Sequence, residues 1–333
     1  MQNNNYNANK IVETGIMISI TFVIIAMTAY VPILLELGMF ILPIPATLIY
    51  IRHDFKLAFI TIILSITLTA FLYNPISAIV SGVVYGFAAL SLGYYIKNKK
   101  SSSETIVAVT IATAIGKIIK FLIYAVFVSK SGIVQYLNVM VNQLHEALDA
   151  YKNMYIQMNA PKEAIEYIDS VSKYVNLEML ILILTLTFII GGLIQAYISY
   201  FIIQKILLRL NYVIEEIIPF SKVYIPNRIE ALLIITACIG IILNAKGFTK
   251  YSYAFSIVNA LIIFTLNLNG MAYLVYLLKE KGKLPKGIII ITVLLILFIP
   301  ALSDLYLVFG ITDIIFNLRK LDPNPIRKVK SRE

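Results

Sequence analysis

Charged side chains are scarce in this chain. They make up 14% of its 333 residues against 59% hydrophobic ones, at a mean hydropathy of +0.85. A soluble domain carries about a quarter charged residues, so this chain could not cover its surface in water, and a soluble enzyme is excluded. Cysteine is nearly missing as well. Cys238 stands alone in an apolar stretch, which excludes a disulfide framework and a thiolate zinc site. Two histidines, His53 and His145, are too few and too far apart in sequence for a metal cluster. Tryptophan is absent, leaving the 22 tyrosines as interfacial anchors. No H-E-x-x-H, no G-x-x-x-x-G-K-[ST] loop and no G-x-S-x-G elbow occurs. No catalytic residue, metal or cofactor is therefore assigned, and the chain is read as not an enzyme. The first nine residues are polar and Asn-rich with no basic stretch, which reads as an uncleaved start.

What the chain has instead is long apolar runs such as Met179–Ile203 and Ile257–Leu278. About 20 such residues make a helix that crosses roughly 30 Å of hydrocarbon. The fold class is all-α, a polytopic transmembrane helix bundle. Ten membrane segments are expected, near 12–36, 38–51, 55–73, 76–96, 105–128, 178–205, 229–245, 251–278, 287–301 and 303–318. The second and the last two are short for a full crossing. Pro43, Pro45 and Pro300 each remove a backbone donor, so these segments should be tilted or broken inside the bundle.

The net charge of +10 would suit a nucleic-acid partner on a soluble protein, but in a membrane protein topology accounts for it, and no nucleic acid is expected. With the N-terminus inside, 20 of the 28 Lys and Arg fall on the cytoplasmic side and six outside. Both termini should face the cytoplasm of a bacterial cell, with the chain in its inner membrane. The expected organisation is an N-terminal bundle over 1–128, an external amphipathic segment over 129–177, a C-terminal bundle over 178–318 and a basic tail over 319–333.

In the external segment, Ile133, Leu137, Met140, Leu144, Leu148, Tyr151 and Tyr155 recur at steps of three and four, one face of a helix. Asn159-Ala160-Pro161 interrupts it before a second helix. Two readings stay open: helices lying on the membrane surface, or a lid over an outward cavity.

Lys117 and Lys120 lie three apart within a membrane segment and so share one helix face. A central Lys costs about 2.5–3.5 kcal/mol on insertion scales, so the pair should face the bundle interior. They are candidates for binding an anionic group. The alternatives are a static pair with Asp304 or Asp313, or snorkelling of Lys120. Asn259 and Asn267, eight apart on a late segment, are further candidate binding residues or interhelical hydrogen bonders. The glycines Gly82, Gly86, Gly93 and Gly191-Gly192 read as close helix packing.

The order of residues is specific at both ends of the chain. Glu13-Thr14-Gly15 opens a helix that Tyr30-Val31-Pro32 ends, and Leu42-Pro43-Ile44-Pro45 leads to Arg52-His53. Leu92-Gly93-Tyr94 precedes a Lys-rich turn. Asn269-Gly270-Met271-Ala272 and Gly310-Ile311-Thr312-Asp313, with Arg319, close the pattern. Together these resemble the bacterial YybS family of multispanning membrane proteins over nearly the whole chain. The resemblance implies Pro43, Pro45, Arg52, Asp313 and Arg319 as structural motif positions. Gln would be expected at Asn269 and Asp at Asn317.

The first half is also distantly similar to the substrate-binding S components of energy-coupling-factor vitamin transporters. That likeness implies a small-molecule ligand and an energy-coupling module as partners besides the lipid bilayer. S components dock on the module through a small-residue A-x-x-x-A pattern, which is not met here, because Ala26 and Ala29 are three apart. The expected function is small-molecule binding or transport. The alternative is a non-transporting scaffold or accessory factor in envelope assembly or sporulation.

Overall fold

The computed structural model describes residues 2–72, 74–129, 132–246 and 252–322. They form thirteen α-helices and no strand, as the hydropathy requires. The chain packs as two compact units, Met1–Ile217 and Ile218–Glu333. The boundary differs from the expected organisation: the long helix after the external segment packs with the N-terminal part, mainly against the sixth helix.

The first unit contains α1 (Gln2–Tyr30), α2 (Pro32–Ile41), α3 (Pro43–Arg52), α4 (Phe55–Leu72) and α5 (Pro75–Lys97). It continues with α6 (Ser102–Ile123), α7 (Ile133–Gln157), α8 (Lys162–Tyr174) and α9 (Leu177–Arg209). The expected segment 12–36 is cut at residue 30, because Val31 precedes a proline and is extended (φ −118°, ψ 98°). Asn74 caps α5 by accepting from the Ile76 N–H at 2.9 Å, with Pro75 at the first helical position. Ser101 and Asn176 cap α6 and α9 in the same way.

The core is built around α3. Its ten residues span only about 15 Å, and every side chain from Pro43 to Tyr50 is buried. Ile44 and Leu48 pack with Ala88 and Leu92 of α5, Val109 of α6 and Ala196, Tyr200 and Ile203 of α9. Threonine and serine fill much of the remaining interior. Thr21, Thr47, Thr61, Ser65 and Thr113 are wholly buried. Each donates its hydroxyl to the carbonyl four residues back, so it enters an apolar interior without an orphaned donor.

The second unit contains α10 (Asn227–Ala245), α11 (Ser252–Tyr276), α12 (Lys286–Phe298) and α13 (Pro300–Phe316). The break expected at Pro300 separates α12 from α13. α11 and α13 touch backbone to backbone at Gly270 and Gly310, where an added Cβ would collide with the carbonyls of Tyr306 and Leu266.

Among the described residues, five helices are long and apolar enough to cross a membrane: Ala8–Thr28, Pro75–Lys97, Ser102–Phe127, Leu177–Arg209 and Phe255–Lys281. Leu37–Arg52, Phe55–Phe71 and Lys286–Ile296 are shorter apolar helices. Ile11, Phe71, Ile111 and Ile241 are among many large apolar side chains left exposed, as lipid-facing residues are. The chain is a multi-pass α-helical membrane protein.

α7 and α8 form a helical hairpin turning at Asn159 (φ 50°). Leu137 of the expected stripe on α7 is buried and Met140, Leu148 and Tyr155 are half-buried. Lys152 pairs with Asp169 at 2.6 Å and His145 bonds Ser172 at 3.1 Å. Ile133, Leu144 and Tyr151 of the same stripe are exposed. Of the basic tail, only residues 319–322 are described.

Candidate binding site

The proline break between α2 and α3 determines where hydrogen-bonding capacity collects. In an uninterrupted helix the Met39 carbonyl would accept from the N–H of residue 43, but Pro43 has none. Gln195 of α9 supplies the missing donor: its Nε2 reaches the Met39 carbonyl at 3.1 Å. One turn further along α9, Ser199 donates to the Phe40 carbonyl at 2.9 Å. The break is therefore satisfied inside the bundle, as a non-helical stretch at membrane depth requires. Because Nε2 is committed to Met39, the other amide atom of Gln195 must be the acceptor. That Oε1 is buried and has no partner.

A cavity of about 510 Å³ adjoins this point, with Gln195, Lys117 and Lys120 in its wall. It lies within the first unit, among the ends of α1, α4, α5 and α6 opposite Arg52 and Lys97. Thr28, Thr69, Ser77 and Ser81 add hydroxyls, and Ile25, Met39, Leu42 and Val84 supply apolar surface. Gly116 brings α6 against the α5 backbone at Val84, where a Cβ would stand 3.1 Å from the Val84 Cα. The Lys117 ammonium lies over Gly191 of α9, 3.0 Å from where a Cβ would be. Gly191 thus leaves the space that the ammonium occupies, beside Gln195.

The three-residue spacing does bring Lys117 and Lys120 to one wall. Asp313 is bound by Arg319 within the second unit. Asp304 is exposed on α13. Asn259 and Asn267 are on α11, exposed and half-buried respectively, and neither lines the cavity. The buried amide of α11 is Asn269. Its Oδ1 accepts from the Ile225 N–H at 3.0 Å and its Nδ2 donates to Glu230 at 3.1 Å. Sequence patterning missed Gln195 and Glu230. Gln195 stands four residues from Ser199 in the long apolar run of α9, a signal that could have marked it.

The remaining motif residues build two clasps. At the end of the first unit away from the cavity, Glu13 bonds Arg52 at 2.6 Å and His53 at 2.9 Å. Lys97 donates to the carbonyls of Tyr50 and His53, placing a cation at the C-terminus of α3 where the helix dipole favours it. In the second unit, Arg319 meets Asp313 at 2.8 Å and donates to the carbonyls of Ser221 and Val223 at 3.1 and 2.8 Å. Asn317 takes a left-handed conformation (φ 45°) that turns the chain so that Arg319 reaches back. Pro43 and Pro45, at the break, are both buried.

The chain is 20% identical to the Bacillus subtilis (strain 168) protein named Uncharacterized protein YybS, over 309 residues covering 93% of this chain and 97% of that one. No solved structure matches it significantly. The family described as predicted membrane protein (DUF2232) matches residues 19–314, nearly the span carrying the proline break, the paired lysines and the Asp313 clasp, and the chain belongs to that family.

Proposed function

We propose that this protein captures a small molecule in the cavity of its first unit, from the outer side of the bacterial cell membrane. The observation that carries the reading is Lys117 and Lys120 sharing a 510 Å³ cavity with the unpartnered carbonyl of Gln195. Intramembrane lysines are costly and mark binding or transport paths more often than packing, and a pocket with a few convergent polar groups on apolar walls suits a small ligand. The loop charges support an orientation with Arg52, Lys99 and Lys283 cytoplasmic, which turns the cavity outward. The similarity to S components favours delivery of the ligand to a partner for transport.

The test is to purify the full chain in mild detergent, denature it, and identify released compounds by mass spectrometry. A compound near one equivalent that is lost from Lys117→Met protein is expected. Its absence from the wild type would overturn the reading. A scaffold role draws on the second unit, whose buried Asn269, Glu230, Asp313 and Arg319 hold one another and the backbone. Pull-down of envelope or sporulation proteins without any ligand would favour it.

A further inference from the structure

The α7–α8 hairpin has an apolar side and a polar side, and both helices contribute to each. Successive helical residues turn by about 100°, which puts Ile133, Leu144 and Tyr151 on one line along α7 with Met154 beside it. All four are exposed. Lys152 and His145, the residues that bond Asp169 and Ser172 of α8, stand about a quarter-turn from that line. On α8, half-buried Ala164 and Val171 stand about a third of a turn from Asp169 and Ser172. Tyr167 and Tyr174 form the outer shoulder beyond them, 70% and 72% exposed. Viewed down α7, its apolar line lies anticlockwise of α8. The two helices run antiparallel, so the apolar side of α8 lies clockwise of α7, and the two faces share one side of the hairpin. The other side carries Asn142, Asp149 and Asn153 of α7 and Lys162, Glu166 and Lys173 of α8, all exposed.

The surroundings indicate what meets the apolar side. Its first turns rest on helices that cross the membrane. Leu137 is buried, and the Tyr136 ring lies 5.5 Å from Phe121 of α6, itself 6.5 Å from Phe188 of α9. The bare part of the face continues that contact, and the same end of α6 exposes Leu122, Val126 and Phe127. The hairpin is also held close to the bundle. It leaves α6 and returns to α9, which pack on each other, and only two residues separate α8 from α9. No residue of α7 or α8 is among the described residues that line the first unit's cavity. Of the two arrangements open to this segment, we infer that the hairpin lies on the membrane, its apolar side sunk into the headgroup boundary of the leaflet at which α6 ends. Tyrosines at the rim suit that boundary, since their rings are apolar and their hydroxyls wet. Charge does not draw the hairpin there, because it carries five acids against three lysines. Recognition is by apolar contact, and a zwitterionic surface serves as well as an anionic one.

The chain has no tryptophan, so a single introduced one reports on its own position. Full-length Tyr151→Trp and Tyr167→Trp probe the apolar side and Asn153→Trp the polar side, each in phosphatidylcholine nanodiscs whose two faces are open to solvent. Met154→Trp serves if Tyr151→Trp does not fold. Fluorescence is quenched either by phosphatidylcholine carrying a nitroxide near the headgroup or by acrylamide in the water. The lipid nitroxide should quench the two apolar-side variants severalfold more than Asn153→Trp, and acrylamide should reverse the order. Exchanging half of the lipid for phosphatidylglycerol, or raising the salt, should leave that ratio unchanged.

Acrylamide reaching Tyr151→Trp as well as Asn153→Trp, with no quenching from the lipid, would overturn the proposal by showing a water-exposed face. Shielding of Tyr151→Trp from both quenchers would overturn it in favour of a protein cover, either a lid over the cavity or a second copy of the chain. Lipid quenching of Tyr151→Trp without Tyr167→Trp would refute the shared face. Lipid quenching that needs phosphatidylglycerol and is lost in salt would refute recognition by apolar contact.

Discussion

The two units treat buried polar groups in opposite ways. In the second, Asn269 uses both ends of its amide, and Arg319 is spread over one carboxylate and two carbonyls. These bonds fasten residues 221–225 to α11 and α13, and the groups have a purely internal use. In the first unit, Gln195 is half used. One end repairs the carbonyl that Pro43 leaves open, and the other faces the lysine-lined cavity without a partner. A buried orphan acceptor costs about 1–3 kcal/mol, and its retention beside two cations is what the binding proposal explains.

The sharpest way to break this contrast is in the second unit. Arg319→Leu leaves the Asp313 carboxylate buried and unpaired and should destabilise by about 3–5 kcal/mol, read as a lower melting temperature in detergent. Adding Asp313→Leu should recover part of the loss. Only part returns, because the carbonyls of Ser221 and Val223 stay without their donor. Full recovery would show that the guanidinium does not hold the loop.

In the first unit, Gln195→Leu should cost about 1–3 kcal/mol by abandoning the Met39 carbonyl. Gln195→Glu, which loses the same donor, should be no better. If both variants melt with the wild type, the repair of the proline break is not the role of this side chain.

Lys117→Met is the discriminating change between a site and a static pair. It should leave the melting temperature within a few degrees and remove the bound compound, with no rescue from Asp304→Asn. Unchanged ligand content and unchanged stability together would refute a role for this lysine.

The smallest structural disturbance sharpens the orientation. With Cys238 replaced by Ser, single cysteines at Arg52, Lys99 and Lys283 should be shielded from an impermeant outside reagent, and one at Ala160 should react. Labelling Lys99 and Lys283 from opposite sides would overturn the expected topology and the outward direction of the cavity.

Much of the architecture is written locally in the chain. Composition alone places the helices in a bilayer, because so few charges cannot solvate a surface. Pro32, Pro43 and Pro300 end helices wherever they stand, since a missing N–H and a fixed φ act within one turn. The spacing of Lys117 and Lys120 likewise puts them on one face whatever surrounds it. The apolar stripe of α7 was legible too, with Leu137, Met140, Leu148 and Tyr155 on its covered positions, but the hairpin contacts of Lys152 and His145 with α8 were not.

Partners distant in sequence were beyond such reasoning. Asn259, Asn267 and Asn269 share a helix and a chemistry, and only packing against Ile225 and Glu230 makes the third the buried one. Gln195 reaches a carbonyl 156 residues away. The chain by itself determined that a carbonyl near residue 39 would lack its helical donor and that two cations would share a face. Tertiary structure alone decided that one amide would answer the first and stand beside the second, because hydrogen bonds are short and directional and only the folded bundle brings α2, α6 and α9 within their reach.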